Sequence, residues 1–144
     1  MNVKVKLLRG QTMPMRSHPD DACYDLHWHP PGKQGPRMIA TLRPVTLGTG
    51  LALELPAGYE AVVRPRSGLA AKQGVLGLVG TIDAGYRGEI MVTLINCGDD
   101  IVTIIPGDRI AQLAIRPIPD VVLEQVDKLA WSCRGDKGHG STGR

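Results

Sequence analysis

The chain has 144 residues, enough for one domain with its own hydrophobic core but small for an enzyme that encloses a substrate by itself. Its formal net charge of +3 argues against a nucleic-acid polymer as partner, because such proteins carry a basic stripe. Three cysteines without paired spacing exclude a disulfide framework and favour a reducing, cytoplasmic location. The 18 glycines and 11 prolines interrupt short apolar runs, which is typical of an all-β fold.

The first predicted strand is the alternating run of residues 1–8. No long apolar segment follows it, so we predict neither a signal peptide nor a membrane anchor. A polar loop then leads to Asp25. Cys23, His27 and His29 flank this acid and are candidates for a zinc site, but the chain offers no closed set of four ligands around them. We therefore expect the two histidines to project from a short strand.

Residues 51–55 have leucine at every second position, which predicts a strand, and after a turn residues 59–63 are predicted to return as the partner strand. This second strand leads to Arg66 and Ser67, where Ser67 is predicted to cap a short helical turn. A helix start beside an arginine and a hydroxyl is suited to bind phosphate. An ordinary capped turn without a ligand explains the same residues.

The central stretch, from Gly80 to Asn96, is predicted to form a hairpin with chemistry at its tip. Asp83 lies in a glycine-flanked turn, and Tyr86 follows three residues later. A turn-forming aspartate and a tyrosine that caps a core account for this pattern without any catalysis. A catalytic role for Asp83 requires that other stretches supply groups that bind a substrate.

Two such stretches lie downstream. Gln112 is a lone amide in the apolar strand 109–115, and is either a satisfied buried group or a donor to a phosphate oxygen.

Residues 121–126 are predicted to form a last strand. From residue 132 the chain is rich in glycine, which predicts either a disordered tail or a loop that wraps donors around a polyphosphate. We divide the chain accordingly into a β domain, residues 1–131, and a tail, residues 132–144.

Five short motifs occur in order along the chain, in residues 22–26, 65–70, 80–89, 107–113 and 138–143. Together they closely resemble the five motifs of the trimeric deoxyuridine triphosphatases (dUTP pyrophosphatases). The resemblance implies an all-β, distorted jelly-roll of the β-clip type that forms a homotrimer. It also implies active sites in which one subunit offers the phosphate motifs, a second the hairpin pocket and the third its tail.

The implied reaction is the hydrolysis of dUTP to dUMP and pyrophosphate with Mg²⁺, which lowers dUTP and supplies dUMP for thymidylate synthesis. By position in the motifs, Asp83 would deprotonate the water that attacks the α-phosphorus, and Asp25 would hold the metal and its waters. The phosphate-binding residues would be Arg66, Ser67, Gly68 and Gln112. The nucleoside pocket would include Gly77, Thr81, Ile82, Tyr86 and Met91. The residues that close over the substrate would be Arg134, His139, Gly140, Ser141 and Thr142.

Physical chemistry agrees with these roles. Uracil presents an acceptor, a donor and an acceptor along one edge, and we expect the backbone of a hairpin over residues 75–86 to present the complement. Cytosine would leave backbone groups unpaired, which can discriminate by about 10⁴. The ring of Tyr86 packed on the sugar would exclude a 2′-hydroxyl.

The sequence departs from the family pattern at three positions. Cys23 stands where the family usually has Gly or Ala, and Gly77 where it often has Asn. His139 stands where it usually has Phe and offers uracil a smaller stacking surface.

Two other functions compete with this interpretation. A dCTP deaminase has a related fold, but it places a second serine after its Arg-Ser pair and uses a glutamate, whereas here Gly68 follows Ser67 and the acid is Asp83. A regulatory protein could keep the nucleotide pocket as a switch for a protein partner.

Overall fold

A computed structural model gives the fold and describes residues 1–138. Within that part of the chain the backbone forms eleven short strands and one seven-residue helix. The strands are β1 (Lys4–Leu7), β2 (Tyr24–His27), β3 (Arg37–Ile39), β4 (Val45–Gly48), β5 (Leu51–Glu54), β6 (Tyr59–Arg64), β7 (Val75–Gly77), β8 (Gly80–Ile82), β9 (Met91–Asn96), β10 (Val102–Ile104) and β11 (Arg109–Pro117). The helix, α1 (Ser67–Gln73), lies between β6 and β7. Among the described residues, no helix has the length and apolar character needed to cross a membrane.

The strands form four antiparallel sheets. The largest has the order β2-β11-β6-β8, the next has β4-β9-β7, and the pairs β1-β5 and β3-β10 complete the fold. No two strands that are consecutive in the described sequence pair with each other. Each short connection therefore carries the chain from one sheet to another. This is the distorted jelly-roll that was predicted, and the all-β class is confirmed.

Two local pairings predicted from the alternation are wrong. Residues 59–63 lie in β6, which pairs with β11 and β8, whereas β5 pairs with β1. The expected hairpin over residues 80–96 does not form either, because β8 pairs with β6 in one sheet and β9 with β4 and β7 in another. Alternation of apolar and polar residues identifies the buried face of a strand, but it does not identify the strand with which that strand pairs.

The predicted strand over residues 121–126 is also wrong. This segment pairs with no other strand among the described residues, and Val122 and Leu123 are 90% and 93% exposed. The β-branched residues that suggested a strand have no partner strand within residues 1–138.

The core is one aliphatic cluster to which all four sheets contribute. Its fully buried members include Leu26, Ile39, Leu94 and Leu113. Asn96 is buried among them and fully used: its amide donates to the carbonyls of Ile39 and Asp100 at 2.9 and 2.7 Å. The core thus fixes β2, β9 and β11, the strands from which the candidate site extends.

Candidate active site

Three neighbouring strands of the largest sheet bring the first, second and fourth motifs together. Asp25 on β2 is the register partner of Gln112 on β11, and Gln112 in turn faces Arg64 at the end of β6. Directly opposite residues of antiparallel strands project on the same face of the sheet. The chain leaves β6 toward Arg66, so two of the predicted phosphate-binding residues, Gln112 and Arg66, lie next to Asp25.

The carboxylate of Asp25 is the centre of this group and is only 6% exposed. Its Oδ2 accepts hydrogen bonds from Ser17 Oγ at 3.0 Å and from Arg109 Nη1 at 3.2 Å. Its Oδ1 lies 3.3 Å from Arg66 Nε, in an ion pair that is not aligned as a hydrogen bond. Two guanidinium groups therefore compensate one buried carboxylate.

These contacts shift the ionisation of Asp25. Burial acts to raise the pKa of the carboxyl, but the hydrogen bonds from Ser17 and Arg109 and the charges of Arg66 and Arg109 outweigh it. The net effect is a pKa below the ordinary value. Asp25 is thus a carboxylate at neutral pH and keeps the guanidinium of Arg66 oriented.

The donor set near Asp25 fits a magnesium ion that is held mainly by a substrate. Within residues 1–138, no group of three or more His, Cys, Asp or Glu side chains converges as metal ligands, and Cys23, His27 and His29 do not form one. Mg²⁺ in phosphate-binding sites takes most of its ligands from phosphates and water, with only one or two carboxylates. Asp25 is the carboxylate of this group, and its Oδ1, which has no hydrogen-bond partner among the described residues, is buried 3.3 Å from Arg66 Nε.

The start of α1 differs from the prediction by one residue. Arg66, with φ −94° and ψ 125°, occupies the N-cap position without a side-chain capping bond, and Ser67 is the first helical residue. The predicted capping role of Ser67 is therefore wrong, because sequence patterns place helix ends only to within one or two residues. Ser67 and Gly68 are exposed, whereas Arg66 donates from Nη1 to the carbonyl of Arg109 at 3.2 Å.

Asp83 and Tyr86 belong to the turn that follows β8. The Tyr86 amide donates to the Asp83 carbonyl at 3.0 Å, and the Tyr86 hydroxyl donates to the Glu89 carbonyl at 3.0 Å. A Cβ on Gly88 would overlap the Tyr86 hydroxyl, so a side chain there would displace the Tyr86 ring from this position. Both the Asp83 carboxylate and the Tyr86 ring are exposed, as groups that meet a ligand must be.

The other predicted pocket residues lie on β7, β8 and β9. Thr81 and Ile82 face Val62 and Ala61 on β6, and Met91, at the start of β9, is 46% exposed. Gly77 pairs with Leu94 on β9 and lies against the backbone of Pro65, next to the second motif. The expected hairpin over residues 75–86 does not form, because β7 and β8 belong to different sheets.

A single chain keeps the two halves of the predicted site apart. Ile82 pairs with Ala61, so Asp83 lies beside the first half of β6, whereas Arg66 lies beyond its last residue. At about 3.3 Å per residue, the five or six intervening positions correspond to roughly 15–20 Å. Asp83 therefore does not reach the Asp25 and Arg66 group within its own chain.

The tail residues are only partly described. Arg134 is exposed and donates from Nε to the carbonyl of Lys137 at 3.1 Å, within a turn of its own segment. The predicted positions His139, Gly140, Ser141 and Thr142 lie outside the described residues.

Three residues with structural importance for the site were not predicted. Arg109 stands inside the fourth motif, where a basic residue at the edge of a phosphate site is a signal that could have been used. Glu89 stands inside the third motif and pairs with Arg9, which is 80 positions away. Ser17 lies in a polar loop, and nothing in the sequence distinguishes it from its neighbours.

Comparison with known proteins agrees with the motifs. Residues 10–143 match the family model for dUTPase. The chain is 46% identical over 146 residues to the deoxyuridine 5′-triphosphate nucleotidohydrolase of Corynebacterium efficiens, covering 97% of this chain and 78% of that protein. The dUTPase of Staphylococcus bacteriophage 80alpha with dUPNHPP superposes with a TM-score of 0.89 at 30% identity, covering 99% of both chains. A mutant dUTPase from phage phi11 of S. aureus, whose structure shows the coordination of a structural Mg(II) ion, superposes with a TM-score of 0.77 at 27% identity. This match covers 89% of this chain and 98% of that one. The chain therefore belongs to the dUTPase family.

Proposed function

We propose that the protein hydrolyses dUTP to dUMP and pyrophosphate by attack of water on the α-phosphorus. The observation that carries the proposal is the Asp25 group, in which two arginines contact one ionised carboxylate and a glutamine stands opposite it on the neighbouring strand of a dUTPase fold. A triphosphate needs cationic and amide donors of this kind.

The phosphate half of the proposed site consists of Arg66, Ser67, Gly68 and Gln112. The guanidinium of Arg66 is held between Asp25 and the Arg109 carbonyl, and so is already oriented before a substrate binds. Ser67 and Gly68 offer a free hydroxyl and backbone amides beside it. Asp25 would hold Mg²⁺ and its waters, and the ion when bound would neutralise charge on the triphosphate.

The catalytic base in this proposal is Asp83. Its carboxylate would orient a water and take its proton as the oxygen bonds to the α-phosphorus and the bond to the bridging oxygen breaks, releasing pyrophosphate. The roughly 15–20 Å between Asp83 and the phosphate half, from about 3.3 Å per strand residue, means that these groups meet only if they come from different subunits.

Assembly into a homotrimer with shared sites is therefore part of the proposal. The apolar side chains of Val122, Leu123, Leu129 and Trp131 are more than 80% exposed in the single chain, and a neighbouring subunit would cover them. We propose further that residues 132–144 form a tail that closes over a neighbour's site. Arg134, His139, Gly140, Ser141 and Thr142 would supply its phosphate and base contacts.

The nucleoside would lie between Tyr86 and the backbone of residues 75–86, with Gly77, Thr81, Ile82 and Met91 at its edges. Uracil would be read by backbone groups, and the sugar by the ring of Tyr86. The three cysteines are all free thiols, which suits the reducing cytoplasm as the proposed location.

One assay tests the proposal. The protein is incubated with dUTP, dCTP or dTTP plus Mg²⁺, and pyrophosphate and ammonia are followed separately. The expected result is pyrophosphate from dUTP alone. Ammonia from dCTP would indicate a deaminase, and nucleotide binding without either product would indicate a regulatory protein.

A further inference from the structure

An ion pair joins the N-terminal loop to the end of the turn that carries Asp83 and Tyr86. Arg9 donates from Nη1 to Glu89 Oε1 and from Nη2 to Glu89 Oε2, both at 2.5 Å, which is a bidentate fork. The side chains of Arg9 and Glu89 are only 25% and 18% exposed. This pair, hereafter the Arg9–Glu89 clamp, is the most buried bidentate pair within the described residues and takes no part in the chemistry proposed above.

The clamp is connected to the segment between β4 and β5. Glu89 Oε1 also accepts a hydrogen bond from the backbone amide of Gly50 at 2.8 Å, and the backbone amide of Arg9 donates to Gln11 Oε1 at 2.9 Å. The side-chain amide of Gln11 in turn donates to the backbone carbonyl of Gly50. A Cβ on Gly48 would overlap the Glu89 carboxylate, so the fold leaves space at this position for the clamp.

The clamp reaches Tyr86 through a single backbone group. The carbonyl of Glu89 accepts the hydrogen bond from the Tyr86 hydroxyl at 3.0 Å. The turn over residues 83–89 is held at its first end by the pairing of β8 with β6. Its second end is held by the ion pair of Glu89 with Arg9 and by the hydrogen bond that the Ile90 amide donates to the Leu51 carbonyl at 2.8 Å.

Both members of the clamp are charged at neutral pH. The hydrogen bond from Arg9 lowers the pKa of Glu89 despite the opposing effect of burial, and the same bond raises the pKa of Arg9. Loss of one member would leave the other as a partly buried charge without its partner, which is costly. Loss of both would leave no such charge.

We infer that Arg9 and Glu89 are positioning residues for the nucleoside sugar: by fixing the Glu89 carbonyl they hold the Tyr86 ring where it excludes a 2′-hydroxyl. The inference rests on the proposed function, because it assigns a purpose to the Tyr86 ring in dUTP binding. It adds two residues outside the proposed chemistry that determine the preference for dUTP over UTP.

The test compares Arg9→Met, Glu89→Gln and the double variant with Arg116→Met. The last is the matched control, because it removes an arginine from a 2.7 Å salt bridge with Glu60 and leaves the Arg9–Glu89 clamp intact. For each protein, kcat/KM is measured with dUTP and with UTP, together with the melting temperature. We expect the ratio of the two kcat/KM values to fall about tenfold in each single variant and to stay at the wild-type value in the control. The double variant should lose less stability than the sum of the singles, since the two residues act as a pair.

A role in stability alone would give the opposite pattern. If the single variants melt earlier but keep the wild-type ratio, the inference is wrong. If they do not fold, Arg9→Lys replaces the fork by a single point charge and should lower the ratio by less; an unchanged ratio would again overturn the inference.

Hydrogen exchange separates this inference from the proposed function. In the substrate-free protein, the amides of residues 83–89 should exchange faster in Arg9→Met than in Arg116→Met. Equal exchange would show that the clamp does not order the turn. If the wild-type protein hydrolyses neither dUTP nor UTP, the proposed function fails. The rates of amide hydrogen exchange in residues 83–89 still show whether the clamp orders the turn.

Discussion

Arg109 donates a hydrogen bond of 3.2 Å to the carboxylate of Asp25, across the neighbouring strands β11 and β2. Together with Ser17 and Arg66, it makes Asp25 a stronger acid in the folded protein than in the unfolded chain, despite burial. Electrostatic linkage then connects this contact to the pH dependence of stability.

The first prediction concerns the free energy of unfolding as a function of pH. Because the folded-state pKa of Asp25 lies below its ordinary value of 3.8, its contribution is fully present above that value and is lost as the pH falls through the folded pKa. The free energies of unfolding of wild type and Asp25→Asn, measured by urea denaturation from pH 7 to pH 3 at one protein concentration, should therefore converge at low pH. A difference that is constant across this range would contradict the assignment.

The second prediction concerns the catalytic base. Asp83→Asn keeps the shape of the side chain but cannot take a proton from water, so the variant should bind dUTP and lose nearly all turnover. Binding is measured by calorimetry and turnover by release of pyrophosphate. A variant that keeps more than about a tenth of the wild-type rate, a barrier change below about 1.4 kcal/mol, would show that another group is the base.

The third prediction separates recognition of the sugar from recognition of the base. Tyr86→Ala should raise activity toward UTP more than toward dCTP, because the ring contacts the sugar while backbone groups read uracil. Tyr86→Phe keeps the ring and removes only the hydroxyl that donates to Glu89, so it should raise activity toward UTP by less than Tyr86→Ala does. Equal gains for UTP and dCTP would show that the ring does not act on the sugar alone.

The fourth prediction concerns the tail. Removal of residues 138–144 should leave folding and assembly intact, because this segment has no apolar side chain to bury, but should sharply lower turnover through loss of phosphate donors and of water exclusion. His139→Phe should instead tighten closure over uracil, since the larger apolar ring gains stacking area. If the protein without residues 138–144 keeps full activity, the tail is not part of the active site.

The fifth prediction tests the sharing of sites between subunits. In the proposed trimer each site takes Asp83 and its tail from different subunits, so tail-less subunits mixed with Asp83→Asn subunits should regain activity that neither has alone. Mixed trimers are identified by native mass spectrometry after denaturation and reassembly. Confirmed mixed trimers without activity would mean that each site is built within one chain.

The sequence by itself determined the features of this protein that depend on neighbours along the chain. Short apolar runs between glycines and prolines determined the all-β class, and β1 and β9 lie inside stretches that were predicted to be strands, the first from alternation and the second from β-branched residues. The five motifs, each a short run of residues in a fixed order, identified the family. The roles of Asp83 and Gln112 within those motifs stay predictions until the variants are measured.

Only the tertiary structure decided which strands pair and which side chains meet. Every paired strand in the described part of the chain finds its partner beyond its neighbour in sequence, so alternation could not predict a single pairing. The contacts of Asp25 with Arg109 and of Arg9 with Glu89 join residues 84 and 80 positions apart. Periodicity reports which face of a segment is buried, a property of a few adjacent residues, whereas the partner of a buried charge is chosen when all four sheets close around one core.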